Sequence, residues 1–494
     1  MRNRIAAAVV AVLLTGVCAG GQALRPLEAP RTGPIGSTVP IREQISTLIG
    51  ADSPQWAVVI RALDGTVIFE RNAEMPLQPA SNMKVLTTAA ALDSLGPGWT
   101  TRTSVYATSH VSDDGTVEGD LVFYGRGDPN LSGRFSAGGD DLEPLRRLAA
   151  AVRARGIARV TGDLIADDSY LSGPPHGSGW AWQDLQWHFG TEVSALSYND
   201  NLASIKVIPG VAGSPCQVEI KPDVGYVEIL NTTTTGGTAR ISVHRGVDGS
   251  VIEVTGSLPV GDEGVTVDIA VHDPPAYAAA AFRRALAGEG IVVDGTIRRL
   301  AAYDQRPESL ELHRLHEIAS IESRPLAELV RVTNKMSQNL HAELILRILG
   351  REHGPSDLPS DQAGAAVVRS FLAKIGARVE STVLADGSGL SRLDRVSASV
   401  LDAVIRKMAL HESRAAFFES LPVAGVDGTL RHRLGGMQLS AKTGSLATAK
   451  SMSGYLTGES GRRYALTLIY NDKDGSTRSA IPIMNHIVEA LSKE

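Results

Sequence analysis

The stretch PASNMKVLTTAAALDSLGPG, residues 79–98, decides how this chain folds, and it contains a serine and a lysine three residues apart. Its apolar residues recur with the 3.6-residue period of a helix, and Gly96-Pro97 provides a stop signal. The buried face of that helix consists of Met83, Leu86, Ala89 and Ala90. The pattern places Ser81 in the first helical turn. Because residues three apart share one face of a helix, Ser81 and Lys84 are expected to be neighbours.

Two further short motifs follow in the chain, SQN at residues 337–339 and KTG at residues 442–444. Each is weak by itself, because a serine often caps a helix and a KTG often ends a strand. The chain contains one S-x-x-K, then S-x-N, then K-T-G, which is the order used by penicillin-recognising serine enzymes. Their joint occurrence in this order indicates an acyl-transfer enzyme.

The chemistry of the first motif needs a lysine that is neutral part of the time. Ser81 is a poor nucleophile unless a base lies within hydrogen-bond reach, and Lys84 can act as that base. Burial or a second cation lowers the pKa of a lysine, and Lys442 is a candidate for that cation. The backbone amides of Ser81 and Ser445 are candidates for the pair of donors that stabilises an oxyanion.

The other motif residues suit recognition of a peptide substrate. Ser337 can relay a proton between the lysines and the leaving amine, and Asn339 can donate to a substrate amide carbonyl. Lys442 and Thr443 offer a cation and a hydroxyl to a carboxylate. Gly444 is expected to leave room for a substrate strand beside the sheet edge.

The order of elements predicts an α+β fold. Residues 56–70 read as a hairpin whose Asp64-Gly65 pair suits a type I′ turn, and residues 100–300 read as short strands with Gly and Asp turns. Later patterns predict helices at 321–350, 363–375, 398–410 and 477–491, and strands at 439–443, 451–456 and 463–470. The hairpin and the late strands are therefore expected to share one antiparallel sheet flanked by helices, interrupted by the middle of the chain.

The N-terminal residues are typical of a secretory signal peptide. A basic start and a short apolar run precede small residues, with cleavage expected after Ala19 or Ala23; a lipidated Cys18 is disfavoured by Val17. The protein is therefore expected to be exported, to the periplasm or cell envelope, and soluble after cleavage. Only Cys216 then remains, so an intramolecular disulfide is excluded.

Composition and missing motifs narrow the function classes. The formal net charge of −6 gives no basic bias toward nucleic acid. The sequence contains no G-x-S-x-G elbow, H-E-x-x-H element or paired cysteines, so we expect neither a metal nor an organic cofactor. The oligomeric state is not indicated.

Several longer segments give the chain a family resemblance. They are PASNMK, GRGDPNLS, GWAWQDL, VSALSYNDN, TNKMSQNLHAE, DGSGLSR and GVDGTL. In these segments the chain resembles the class C low-molecular-mass penicillin-binding proteins of the type-4 group, which are D-alanyl-D-alanine carboxypeptidases and endopeptidases. The resemblance covers nearly all of the chain after the signal peptide.

This resemblance implies a domain organisation and a substrate. Residues 1–23 would be the signal peptide, 32–99 and 301–494 a discontinuous penicillin-binding, serine β-lactamase-like catalytic domain, and 100–300 a β-rich insertion of two small domains. The substrates would be peptidoglycan stem peptides, and β-lactams would be covalent inhibitors. A β-lactamase and a non-catalytic cell-wall scaffold of the same fold are the alternatives.

The resemblance also implies roles for individual residues. Ser81 would be acylated with Lys84 as base, and the cleft would be lined by the second and third motifs and the Ser445 amide. In some relatives an aromatic and acidic patch, with a leucine and an arginine of the DGSGLSR segment, holds the far end of the stem peptide. The acidic residue would pair with the ammonium at that end and the arginine with the carboxylate. The matching positions are Trp182, Asp184, Phe189, Leu390 and Arg392.

Overall fold

The computed structural model describes residues 39–50, 55–300, 311–472 and 477–494, except the side chain of His313. The predictions of a signal peptide at 1–23 and of its cleavage fall outside these ranges. One compact unit runs from Ile41 to Glu494. In the described ranges, no helix combines the length and the apolar character needed to cross a membrane.

Nineteen strands lie in the described ranges and are numbered in chain order. The first ten are β1 (Trp56–Ala62), β2 (Val67–Arg71), β3 (Arg102–Ala107), β4 (Thr116–Val117), β5 (Leu121–Tyr124), β6 (Arg159–Val160), β7 (Leu164–Asp167), β8 (Leu202–Ile208), β9 (Gln217–Lys221) and β10 (Glu228–Thr235). The others are β11 (Arg240–Arg245), β12 (Val251–Leu258), β13 (Val265–Ala270), β14 (Val292–Val293), β15 (Ile297–Arg299), β16 (His316–Glu322), β17 (Gln438–Ser445), β18 (Ala449–Thr457) and β19 (Arg463–Asn471).

Ten α-helices lie in the same described ranges. They are α1 (Ile41–Ile49), α2 (Met83–Ser94), α3 (Glu143–Ala154), α4 (Pro274–Gly288), α5 (Leu326–Lys335), α6 (Asn339–His353), α7 (Ser360–Lys374), α8 (Ala398–Ala409), α9 (Arg414–Ser420) and α10 (Ala480–Ser492). The strands and helices predicted after residue 360 all lie within a few residues of these bounds.

The two ends of the described chain build one antiparallel sheet, in the order β17-β18-β19-β1-β2. The apolar run of β1 is continuous because the strand is buried on both faces. Ala57 and Val59 pack with the helices of one face, whereas Val58 and Ile60 pack with α1 and α10 on the other. The expected α+β fold, with hairpin and late strands in one sheet, is confirmed.

The hairpin turn differs from the prediction. Type I′ requires a positive φ at both central residues, but in the Asp64-Gly65 pair only Gly65 has one, at 96°. The Ala62 carbonyl accepts from the Gly65 amide at 2.9 Å, and the Asp64 carboxylate accepts from the Thr66 amide at 2.8 Å. The aspartate thus caps the turn through its side chain.

The prediction of one continuous helix over residues 321–350 is wrong. Its beginning is part of strand β16, and the rest divides into α5 and α6 at residues 336–338. Ser337 has a φ of 59°, which no residue inside an α-helix can adopt. The second motif therefore lies at a helix break, which turns its serine away from the helical path.

Helix α2 is the centre of the helical layer. Every residue from Met83 to Leu92 is buried, and the helix packs against α5, α6, α7 and α8. The short 3₁₀ helix Ala80–Asn82 that leads into α2 contacts β17 and β18. Ser81 is consequently placed between the sheet and the helical layer.

In the described part of the middle of the chain there are four further sheets, in the orders β15-β7-β5-β3-β16, β14-β6-β4, β13-β8-β9 and β10-β12-β11. Helices α3 and α4, which the strand and turn pattern did not indicate, pack into the same core as these strands. Cys216 is buried there as a free thiol. The division of residues 100–300 into two small domains stays a prediction.

Candidate active site

The nucleophile turn is held in a strained conformation. Ala80 has a φ of 47°, a left-handed value that is unfavourable for a residue with a Cβ atom. Ser451 on β18 fixes the turn, because its hydroxyl donates to the Pro79 carbonyl at 2.5 Å and accepts from the Asn82 side-chain amide at 2.6 Å. Ser81 lies in this 3₁₀ turn, two residues before Met83, the first residue of α2.

Lys84 is completely buried and sits at the centre of the site. Its Nζ lies 3.0 Å from Ser81 Oγ, 2.6 Å from Asn339 Oδ1 and 2.7 Å from the Ser388 carbonyl oxygen. A neutral amine has two hydrogens and one lone pair. The two carbonyl oxygens can only accept, so they take both hydrogens, and the lone pair remains for the Ser81 hydroxyl. The geometry selects Ser81 as the group that gives its proton to Lys84.

The electrostatics of Lys84 come mainly from its burial. Desolvation lowers the pKa of this amine to about 8, while the carboxylates of Asp386, Glu343 and Asp394 act in the opposite direction. Of the two causes that the sequence suggests, burial and the charge of Lys442, burial is the one that lowers the pKa of Lys84. It places the pKa near the range where a general base works well.

Lys442 is the second buried amine, on β17. Its Nζ donates to Ser337 Oγ at 2.9 Å and to the Thr443 carbonyl at 2.6 Å. Burial, with the charge of Lys84 as a smaller cause, holds its pKa well below the usual value. An anionic ligand beside this amine would offset the cost of its desolvation.

The serine and the asparagine of the second motif each contact one lysine. Ser337, at the break between α5 and α6, contacts Lys442, and Asn339, the first residue of α6, contacts Lys84. The Asn339 side chain also donates to the Phe189 carbonyl at 2.8 Å. The structure thus brings Ser81, Lys84 and Asn339 into one hydrogen-bonded group and Ser337 and Lys442 into a second, and the charges of the two lysines couple the groups.

Strand β17 is the edge of its sheet and contacts the nucleophile turn. The Ala441 amide points outward, since it donates to the Pro422 carbonyl at 2.9 Å. Amides of an antiparallel strand alternate in direction, so the Ser445 amide points to the same outer edge. An oxyanion could therefore meet the Ser445 amide beside the Ser81 amide.

Gly444 has a use that the sequence pattern did not predict. A Cβ atom there would lie 2.2 Å from Ser451 Oγ, 2.7 Å from the Pro79 carbonyl oxygen and 3.0 Å from the Ser81 nitrogen. The missing side chain makes room for the nucleophile turn, and the expected room for a substrate strand stays a prediction. This close approach is what puts the third motif beside Ser81.

A loop that sequence reasoning assigned no role contacts the third motif. The hydroxyls of Thr429 and Thr443 lie 2.6 Å apart. Asp427 accepts from Lys335 Nζ at 2.6 Å, and the loop therefore joins the last turn of α5 to β17. The GVDGTL segment contained the signal, but only the fold shows that Thr429 reaches Thr443.

The five residues expected to form a distal subsite are partly brought together. Asp184 and Arg392 form an ion pair with each other, and Phe189 meets Asn339 through its carbonyl. Leu390 is buried, whereas Trp182, in the 3₁₀ turn Trp182–Asp184, is 72% exposed. The side chains expected to bind the amine and carboxylate of a substrate are thus each other's partner in the free protein.

A second cluster missed from sequence ties the helix break to the middle of the chain. The carboxylate of Asp200 accepts from Gln338 Nε2 at 3.0 Å and lies 3.1 Å from His341 Nε2. It also forms an ion pair with Arg134. His341 is fully buried, and burial lowers its pKa. Gln338 accordingly supports the break and does not contact Lys84.

Comparisons with known proteins match the sequence of this chain to a family. The model of the D-Ala-D-Ala carboxypeptidase 3 (S13) family matches residues 43–493. A D-alanyl-D-alanine carboxypeptidase of Actinomadura sp. (strain R39) is 31% identical over 463 residues, covering 89% of this chain and 82% of the relative. The D-alanyl-D-alanine carboxypeptidase DacB of Haemophilus influenzae is 29% identical over 424 residues, covering 82% of each chain.

Solved structures show the same fold. The crystal structure of penicillin binding protein 4 (dacB) from Haemophilus influenzae has a TM-score of 0.77 at 24% identity, covering 92% of this chain and 100% of that chain. A structure of the same protein complexed with a β-lactam has a TM-score of 0.72 at 22% identity, with the same coverage.

Proposed function

The chain belongs to the D-Ala-D-Ala carboxypeptidase 3 (S13) family, and from that premise we propose that it is a serine D-Ala-D-Ala carboxypeptidase acting on peptidoglycan stem peptides. The observation that carries the proposal is the environment of Lys84. Its amine has two carbonyl acceptors that cannot donate, and a third partner, Ser81, that can. This is the arrangement that an activated serine nucleophile needs.

Acylation begins with attack of Ser81 Oγ on the carbonyl of the penultimate D-alanine. Lys84 takes the hydroxyl proton as the new ester bond forms. The amides of Ser81 and Ser445 stabilise the oxyanion. Breakage of the peptide bond releases D-alanine, whose amine receives the proton that Lys84 took from Ser81, relayed by the Ser337 hydroxyl beside Lys442. Water then hydrolyses the ester and restores the Ser81 hydroxyl.

The terminal carboxylate of the substrate is recognised by the third motif. Lys442 is a buried amine whose Nζ contacts the neutral oxygens of Ser337 and Thr443, and a substrate carboxylate beside it would favour its charged form. The Thr443 hydroxyl, beside that of Thr429, supplies a neutral donor. A carboxylate bound to both would form charge-assisted hydrogen bonds in a site shielded from water.

The proposal extends to cross-linked substrates, to β-lactams and to the cell envelope. A DD-endopeptidase activity uses the same acylation step, with a stem peptide in place of D-alanine as the leaving group. Trp182, Asp184, Phe189, Leu390 and Arg392 would hold the distal end of the acyl donor. A β-lactam would acylate Ser81 and form a long-lived adduct. The signal peptide at residues 1–23 would export the protein.

Release of D-alanine from a pentapeptide ending in D-Ala-D-Ala tests the proposal. The wild-type protein should release it, and Ser81→Ala should not, while thermal unfolding of the two proteins stays similar. Rapid hydrolysis of penicillin without D-alanine release would favour a β-lactamase. Absence of both D-alanine release and covalent penicillin binding would leave a cell-wall scaffold.

A further inference from the structure

The loop of residues 386–392 is organised around one buried carboxylate. Asp386 is 3% exposed. Its Oδ1 accepts from the Gly389 amide at 2.6 Å and from the Ser388 amide at 3.1 Å. Its Oδ2 accepts from the Ser391 amide at 2.7 Å and from the indole nitrogen of Trp180 at 2.8 Å. Asp386 therefore fixes the Gly389 and Ser391 amides of the loop, while Glu343 of α6 accepts from the Gly387 and Ser388 amides at 3.0 and 2.8 Å.

The same loop supplies an acceptor to the base. The peptide group between Ser388 and Gly389 accepts from Lys84 Nζ through its carbonyl at 2.7 Å, and donates to Asp386 through its amide. A single peptide thus connects the amine to the carboxylate. Hydrogen bonds in such a chain polarise one another in a low-dielectric interior. Moving Asp386 would move the oxygen that holds one hydrogen of the Lys84 amine.

The inserted part of the chain reaches both carbonyl acceptors of Lys84. Trp180 donates to Asp386, which fixes the Ser388 carbonyl, and the Phe189 carbonyl accepts from the Asn339 side chain. Both contacts come from one segment, residues 180–189. That segment also carries Asp184, the ion-pair partner of Arg392 at the end of the same loop.

We propose that Asp386 is a positioning residue for Lys84 and that Trp180 of the insertion holds Asp386 in place. The insertion then acts on acylation itself, in addition to any contact with the distal end of a substrate. This inference rests on the proposed acylation of Ser81.

Electrostatics give the proposal a signature that a purely structural role lacks. Lys84 is faced by Asp386 of the loop, Glu343 of α6 and Asp394, which raise its pKa, and it interacts with Lys442 of β17. Burial raises the pKa of Glu343 and of Asp394. Replacing the Asp386 carboxylate by an amide removes one influence that raises the pKa of Lys84. In a plot of acylation rate against pH, the rise on the acidic side (the acid limb) should then occur at lower pH.

The experiment measures the second-order rate of acylation by benzylpenicillin against pH. Penicillin is the probe because it lacks the distal end of a stem peptide. Trp180→Phe keeps the ring but removes the indole donor, and we expect acylation roughly fivefold slower, as for loss of one net hydrogen bond. Asp386→Asn should slow the plateau rate by about 10² through misplacement of the base, and should shift its acid limb to lower pH.

Trp187→Phe is the matched control. It makes the same replacement in the same segment, at a tryptophan packed against the core of the insertion. It should acylate within about twofold of wild type, since one ring change away from Asp386 leaves the loop intact. Unfolding temperatures of all variants accompany the rates.

The outcomes for the proposed function and for this inference can be told apart. A wild-type protein that penicillin does not acylate would sink the proposed function. Normal wild-type acylation with an unaffected Trp180→Phe rate would overturn the inference alone. A slow Asp386→Asn protein whose acylation rate rises over the same pH range as that of the wild type would also overturn the inference alone. If Asp386→Asn does not fold, the comparison of Trp180→Phe with Trp187→Phe still tests the inference. A slower rate for Trp180→Phe alone supports it, and equal rates for the two variants overturn it.

Discussion

Replacing Gly389 by alanine should disable the nucleophile turn without unfolding the protein. Gly389 has a φ of 80°, and a Cβ atom there would lie 1.8 Å from the carbonyl oxygen of Ala80 and 2.4 Å from its carbonyl carbon. Ala80 directly precedes Ser81. Ordinary contacts between such atoms begin at about 3.4 Å, so the turn or the loop must move by about 1.5 Å.

The expected size of the effect follows from that displacement. A misplacement of about 1 Å costs on the order of 10² in rate, so acylation by penicillin should fall by at least about 10². The left-handed backbone adds roughly 1–2 kcal/mol of strain for alanine, which affects stability and not chemistry. The loss of acylation rate and the loss of stability are therefore expected to have different causes, which a control variant can distinguish.

Gly376→Ala provides the control for backbone strain. Gly376 follows α7 and has a φ of 76°, and a Cβ atom added there would meet no heavy atom of the described residues within 4 Å, its chain neighbours aside. Gly376→Ala should lose only the stability that the left-handed backbone costs and should keep wild-type acylation. The assay is covalent labelling with fluorescent penicillin, together with the free energy of unfolding in urea. Acylation of Gly389→Ala within a few-fold of wild type would refute the claim that this loop fixes the nucleophile turn.

Three further predictions address the base and the two ends of the substrate. Acylation should rise with pH through about 8 and level off above it, because neutral Lys84 is the base and burial lowers its pKa to about 8; a flat profile from pH 6 to 10 would exclude this role. Lys442→Ala should lower kcat/KM for a D-Ala-D-Ala peptide roughly 10- to 100-fold, by loss of a charge-assisted contact; the same kinetics with an ester lacking the carboxylate should change less. Asp184→Ala should remove any preference for stem peptides with a free distal amine over acetyl-capped ones, measured as the ratio of the two kcat/KM values. An unchanged ratio would mean that the Asp184 and Arg392 pair stabilises the structure and does not bind substrate.

Local patterns were enough to predict the sheet and the nucleophile helix. The period of residues 83–90 predicted α2, and the runs at 56–70 and after 439 predicted strands that pair in the structure. Such signals survive in sequence because one buried face imposes them on neighbouring residues. The order of the three motifs likewise indicated which residues meet, although they are far apart in the chain.

Other features depend on contacts that no local pattern records. The apolar spacing of residues 321–350 continued across Ser337, and only packing against Lys442 and Asp200 explains the break there. The lowered pKa of Lys84 comes from burial, which a motif cannot report. Asp386 had no role assigned within DGSGLSR because its partner Trp180 lies 206 residues away.

The central claim is that Ser81 forms the covalent acyl-enzyme and that the surrounding residues activate and position its hydroxyl. The most direct measurement is mass spectrometry of peptides after reaction with penicillin. We expect one added penicilloyl group per protein, on the peptide that contains Ser81, and none on Ser81→Ala. An adduct on any other peptide, or full labelling of Ser81→Ala, would contradict the claim.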